Sequence, residues 1–297
     1  LSTHLKPNSI SDASWELPAG VTLTDMVIEA LRPADPMVSY SSVNIDIHAS
    51  AVNPHDGRLY MLLDDDLLHL DARSQKPIVD IETGIMGRSL AIDSDAGTLL
   101  IGTEEGSVLS RSLYDSSSMP NQKGPTGSQN AGIYALAVDD YGTIWAAGNC
   151  TIHFKPVGEV VWNEYDYCPT QNIEAPSDIM IIGDSVYLAT TNSGIHILNY
   201  ITSSSSGSVS VSIDSQTDWS TQNFLSSDQI TDLEVVGNHL LIATSDSGIN
   251  RRDLTAQSWI ATWSTNNWLA SNQIHGLSLT PGWLHILAGT TVHAYDT

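Results

Sequence analysis

The chain has 297 residues, 34 acidic against 11 basic, for a formal net charge of -23. Such a surface repels nucleic acid and anionic lipid, and with Arg251-Arg252 as the only basic doublet there is no cluster to focus a polyanion. A hydrophobic content of 41% beside 15% charged residues describes a chain that folds around a core, and no apolar run reaches the roughly 18 residues of a membrane helix.

The chain opens at Leu1 without a basic and apolar leader, and reads as a mature or excised fragment that does not itself insert into a membrane. From residue 43 onward a short apolar run recurs: LYML (59–62), LLIG (99–102), IWAA (144–147), VYLA (186–189), LLIA (240–243) and LHIL (284–287). The second residues of these runs lie 40, 45, 42, 54 and 44 positions apart. A β-rich stretch precedes each run, with Gly, Asn, Asp or Pro at the turn between, as in Asp95-Ala96-Gly97 and Gly237-Asn238. A third strand follows after a short polar turn. Several strands per period of about 40–45 residues are the signature of propeller blades.

The repeats fall at roughly 43–84, 85–130, 131–172, 173–225, 226–270 and 271–297. The long fourth step is assigned to the serine-rich insert 203–208, read as a flexible loop that adds no strand. Fourth strands are expected at 160–165 and 259–263, whereas 115–130 reads as a long loop. The last repeat ends after its third strand, so residues 21–31 (VTLTDMVIEAL), within an N-terminal closure segment 1–42, are expected to supply the fourth. The expectation is an all-β chain forming one six-bladed β-propeller over 1–297, with seven blades as the alternative.

The segment WSTQNFLSSDQI (219–230) recurs as WSTNNWLASNQI (263–274), and the first copy runs on into TDLEVVGNHLLIATSDSGINRRDL. These residues resemble the two-component-regulator propeller repeat of periplasmic sensors and large extracellular proteins. The likeness is good over the last three repeats, fair in the third and degraded in the first two. It implies the fold, and in sensor relatives a ligand-reading surface, often for glycans. Kinase, membrane and DNA-binding segments do not occur in this chain, so signalling does not carry over.

His69, His153, His196 and His293 share one position in the middle of the third strand, with Asn250 in the fifth copy. Equivalent positions in packed sheets lie about 10 Å or more apart, too far to share a metal, so they are read as packing or hydrogen-bonding groups. Asp64, Asp65, Asp66, Glu104, Glu105 and Asp246 fall between second and third strands, on the face of the inter-blade loops. Asp64, Asp66 and Glu104 are hard oxygen donors suited to calcium; the competing reading is solvated acidic turns, and no other cofactor is implied. Cys150 and Cys168 lie on one face with seventeen residues between them, either bridged as in an extracellular protein or a pair of buried thiols. Trp268 is a candidate to stack on a ligand from the loop rim, although Trp219, Trp263 and Trp268 occupy repeated positions that suit packing.

No G-x-S-x-G, H-E-x-x-H or phosphate-cradling glycine loop occurs. Asp46, His48, Asp178, Asp232 and His275 lie on or beside first strands, and are channel-wall candidates by location only. The leading expectation is a non-enzymatic extracellular or cell-surface module (a periplasmic one fits too) that binds a protein or glycan ligand at Asp64, Asp65, Asp66, Glu104, Glu105, Asp246 and Trp268. A self-associating subunit of a surface assembly, and a hydrolase or lyase acting on polysaccharide, are the alternatives.

Overall fold

The computed structural model describes residues 14–16, 47–53, 55–63, 66–70, 77–82, 86–114, 121–125, 132–168, 175–205, 208–280 and 282–297. These residues are all-β, in a propeller-like arrangement of antiparallel four-stranded sheets, six in number, with no helix among them. The first sheet takes Ile47–Val52, Leu59–Leu63, Asp66–Leu70 and Pro77–Glu82. The second takes Gly87–Asp93, Thr98–Thr103, Val108–Ser112 and Asn121–Gly124. The third comprises Ala135–Val138, Ile144–Ala147, Thr151–Lys155 and Asn163–Asp166. Pro176–Ile182, Ser185–Thr190, Ile195–Ser205 and Ser208–Trp219 form the fourth. The fifth holds Ile230–Val236, His239–Thr244, Ile249–Asp253 and Ser258–Trp263. Ile274–Thr280, Trp283–Ala288 and Thr291–Asp296 make the sixth, completed by Ser14–Glu16.

That N-terminal strand pairs antiparallel with the last one, in the register Ser14↔His293, Trp15↔Val292 and Glu16↔Thr291. The fourth strand of the final sheet therefore comes from 14–16, and the expected segment 21–31 lies outside the described residues. Three further boundaries differ from expectation. Asn121–Gly124 is a strand inside what reads as a loop, because Asn, Gln and Lys carry no apolar alternation to reveal it. The third sheet's outer strand is Asn163–Asp166 rather than 160–165; Val160 and Val161 are exposed. The serine-rich insert also lengthens strands, since Ser203, Ser205 and Ser208 lie within an extended hairpin.

Chain contacts divide the protein into two compact units, Leu1–Ser42, Ala189–His196 and Thr217–Thr297 in one and Val43–Leu188 with Ile197–Gln216 in the other. In the first, Leu241, Ala243, Leu284, Ile286 and Ala288 of two second strands pack with Ile249, Ile274, Trp263 and Leu269. In the second unit the largest cluster gathers round Trp145, fully buried and stacked at 5.0 Å on Phe154. Its Nε1–H donates to Asp139 Oδ2 at 3.1 Å, while Asp139 Oδ1 accepts the amides of Tyr141 and Thr143. Second strands are apolar and buried along nearly their whole length, as in Thr98–Thr103 and Ile144–Ala147. A strand covered on both faces has no reason to alternate, and the outer strand Asn163–Asp166, polar and exposed, shows the converse.

Candidate functional site: the rim of turns and connectors

In each sheet where both are described, the turn between second and third strands is hydrogen-bonded to the connector between sheets. Glu104 N donates to Met86 O at 2.8 Å, ahead of the second sheet's first strand, and Ile133 N donates to Thr103 O behind it. Gly194 N donates to Asp228 O, Ser245 N to Gln229 O, Gly248 N to Asn272 O and Gly289 N to Gln273 O, at 2.9, 3.0, 2.8 and 2.7 Å. Two of these turns also close on themselves: Thr190 Oγ1 accepts Ser193 N and donates to Gly194 O, as Thr244 Oγ1 does with Ser247 N and Gly248 O. In each of these sheets the turn and its connectors thus share one end, as the strand alternation predicts, and backbone bonds hold them together there.

The duplicated connectors have one internal design. Asn223 Oδ1 accepts Ser220 N and its Nδ2 donates to Asp218 O; Asn267 does the same with Ser264 N and Thr262 O. Asp228 accepts both the amide and the hydroxyl of Thr221, whereas Asn272 accepts the amide of Thr265. Trp219 and Trp263, 5% and 9% exposed, are packing groups. Arg252 lies 4.7 Å over the Trp219 ring, and Tyr295 takes the matching place 5.0 Å from Trp263.

Of the acidic candidates, Glu104, Glu105 and Asp246 sit exposed on described turns. Glu104 Oε2 receives Arg88 Nη2 at 2.9 Å, and Arg88 Nη1 lies 3.3 Å from His48 Nδ1. Guanidinium nitrogens only donate, so in this contact His48 Nδ1 is the acceptor. Asp64 and Asp65 lie outside the described residues, and Asp66 is described only as the first residue of its strand. Among the described residues no three His, Cys, Asp or Glu side chains converge as a metal site requires. Trp268 is half-buried, packed edge-on against Trp263 and His293 at 5.1 and 5.4 Å and stacked on Tyr295. The exposed aromatic on these connectors is its counterpart Phe224, 50% exposed and nearly parallel to Trp259 at 5.9 Å.

The shared third-strand position is buried in all five copies, His69, His153, His196, Asn250 and His293. Asn250 Oδ1 accepts Ser226 N and His293 Nε2 accepts Ala270 N, each tying a third strand to the connector before it. His196 Nδ1 instead meets Asp218 Oδ1 at 2.7 Å. Burial holds the imidazoles of His153 and His293 below the usual histidine range; for His153, Glu164 and Asp166 oppose the shift.

First strands carry a feature that sequence reading missed. The register skips between Ile47 and Ala49, Gly87 and Ser89, Ile230 and Asp232, and Ile274 and Gly276. A bulge therefore recurs at His48, Arg88, Thr231 and His275, where it re-aims the side chain. Superposing the repeats would have put Arg88 in the column of His48 and His275. Asp178 and Asp232 cap the following amides, Ile179 N and Leu233 N, and Asp232 Oδ2 also accepts Leu277 N, so these carboxylates are engaged in the framework. Asp46 lies outside the described residues. Glu234 is pushed above the usual carboxylate range by burial, with Asp232 adding to the shift.

Cys150 and Cys168 form a disulfide. It joins the second-to-third-strand turn of the third sheet to the chain leaving that sheet, where Tyr167 Oη donates to Gly148 O and accepts Cys150 N.

No family model and no curated protein matches the chain. Solved structures do resemble it. A chain of a mitotic checkpoint complex aligns with 98% of this chain and 79% of its own at 10% identity, with a TM-score of 0.60. A structural-genomics protein of unknown function from Bacteroides thetaiotaomicron aligns over 86% and 70% at 15% identity and 0.58. The computationally designed protein Ika8 aligns over 88% and 74% at 13% identity and 0.56. At such identities the likeness is one of fold alone.

Proposed function

We propose that this chain is a non-enzymatic binding module of an extracellular or cell-surface protein. In this reading its sheets are the six blades of one closed propeller of the two-component-regulator type. The carrying observation is the preformed rim: backbone bonds fix the turns to the connectors and leave Glu105, Asp246 and Phe224 exposed on them. A rigid scaffold presenting loops at fixed positions binds without first having to order them. The disulfide suits an oxidising compartment. The ligand class is a glycan or a partner protein.

The test is a screen of the purified protein against glycan and extracellular-protein arrays, followed by titration of any hit with Glu105→Lys, Asp246→Lys and Phe224→Ala. At least one of these should weaken binding about tenfold, the equivalent of about 1.4 kcal/mol. A hit indifferent to all three would remove the rim as the site. Small-angle scattering that fits two separated bodies instead of one disc would remove the closed ring.

A further inference from the structure

We propose that the outer edge of the fourth sheet is a second interaction surface, which accepts an added β-strand from a basic partner polypeptide. The outermost strand, Ser208–Trp219, is 12 residues long, whereas the outer strands of the other sheets have 3 to 6. Edge strands are ordinarily kept short, or guarded by lysine, proline or a bulge, because their outward amides and carbonyls template another strand. Residues 208–219 contain no lysine, proline or glycine, and 208–213 read SVSVSI without a charge. Alternating β-branched and small polar residues are what a pairing strand requires.

The strand is also held ready. Val211 is 9% exposed within the cluster around Trp145, and Ile213 packs against it. Asn199 Nδ2 donates to Ser215 Oγ at 3.0 Å, fixing the strand to its inner neighbour. Ser210, Ser212 and Asp214 are exposed. An edge fixed in advance loses little conformational freedom when a partner docks. Charge selects the occupant. Asp214 lies on the edge of a chain with net charge -23, so a second copy is repelled and a segment bearing lysine or arginine is attracted. The uncharged part of this edge, 208–213, lies toward the opposite end of the strand from the connector that follows Trp219, and it stands whether or not that connector binds a ligand.

The probe is a synthetic peptide alternating valine and threonine and carrying lysines, titrated against the full chain by fluorescence anisotropy. Two companion peptides replace lysine by glutamate or N-methylate alternate amides. The lysine peptide should bind and both companions should not. Ser210→Lys combined with Ser212→Lys, at exposed positions, should weaken binding about tenfold or more, compared at a temperature where the melting curve shows the variant folded because Ser210 also bonds Ser203; Asp214→Asn should weaken it less. Three results would overturn the proposal: no binding of the lysine peptide, equal binding of the N-methylated peptide, or self-association that the double lysine variant abolishes, which would make a second copy the occupant.

Discussion

The third sheet and the fifth meet the same mechanical requirement by different chemistry. In both, the turn between second and third strands is fastened to an aromatic residue at the end of the outer strand or directly after it. In the fifth sheet the fastening is steric and hydrogen-bonded: Gly248 adopts φ 84° and lies so close to the Trp263 carbonyl oxygen that a Cβ would overlap it. The connector beyond then binds back through Asn272 O. In the third sheet the aromatic is Tyr167, whose hydroxyl bonds Gly148 O and Cys150 N, and the Cys150–Cys168 disulfide secures the turn. Repeat positions thus conserve a geometry more faithfully than a bond type, and an irregular copy is fastened by a covalent link where the regular copies rely on fit.

The largest effect is expected at the steric fastening. Gly248→Ala combines a strained left-handed alanine with an overlap against backbone, and should lower unfolding free energy by about 3–5 kcal/mol in denaturant titration. Gly237→Ala is the control, with φ 57° and nothing within 4 Å of the added carbon; it should lose only about 1–2 kcal/mol. Equal losses would show that the close approach to Trp263 is not what holds the turn.

Next comes the covalent fastening. Cys150→Ser with Cys168→Ser should lower stability by about 3 kcal/mol through the released loop. Cys150 has φ 62°, so Cys150→Gly with Cys168→Ser should recover about 1 kcal/mol of that loss. Loss of the disulfide without measurable change in the melting curve would mean that Tyr167 alone suffices.

How much of this was legible in the sequence follows from what each fastening is made of. The second strands could be read because burial on both faces demands continuous apolar runs such as LLIG and LLIA. The disulfide was legible because strand alternation puts Cys150 and Cys168 at the same end of their sheet. Closure of the last sheet by the N-terminal segment was legible from its missing fourth strand, but its residues Ser14–Glu16 and the strand Asn121–Gly124 were not, since SWE is too short and NQKG too polar to show an apolar alternation. The bulge at Arg88 left no local trace, and only superposition of repeats would have exposed it. Trp268 carries both readings in the sequence, because an indole suits packing and ligand stacking equally; in the structure it packs against Tyr295 and His293.

A smaller effect should separate the two duplicated connectors. Asp228 accepts two bonds from Thr221 where Asn272 accepts one from Thr265. Asp228→Ala should lower stability by about 1–2 kcal/mol, in the range of a lost helix-type cap. Asp228→Asn should lose about 0.5–1 kcal/mol, because the sixth-sheet connector already works with an amide there. If the asparagine variant is as damaged as the alanine one, the carboxylate charge is the essential part and the two connectors are less alike than their bonding suggests.

The smallest expected effect concerns pH, and it sharpens the comparison at the third-strand position. His293 Nε2 accepts the Ala270 amide, so protonation would set a donor against a donor, and burial already holds this imidazole below its ordinary value of 6.5. The unfolded chain therefore binds the proton first. The stability linked to His293 is fully present above about pH 6.5 and falls as the pH drops from there toward the folded-state value, since over that window the unfolded state carries more protons. His153 and His285, also lowered by burial, act with the same sign. Asn250 makes the corresponding bond to Ser226 N without a titrating group. His293→Asn should accordingly keep the bond near neutral pH and flatten the decline of melting temperature on acidification, leaving the part due to His153 and His285. An unchanged acid slope in that variant would mean the position acts by shape alone, with its proton irrelevant to folding.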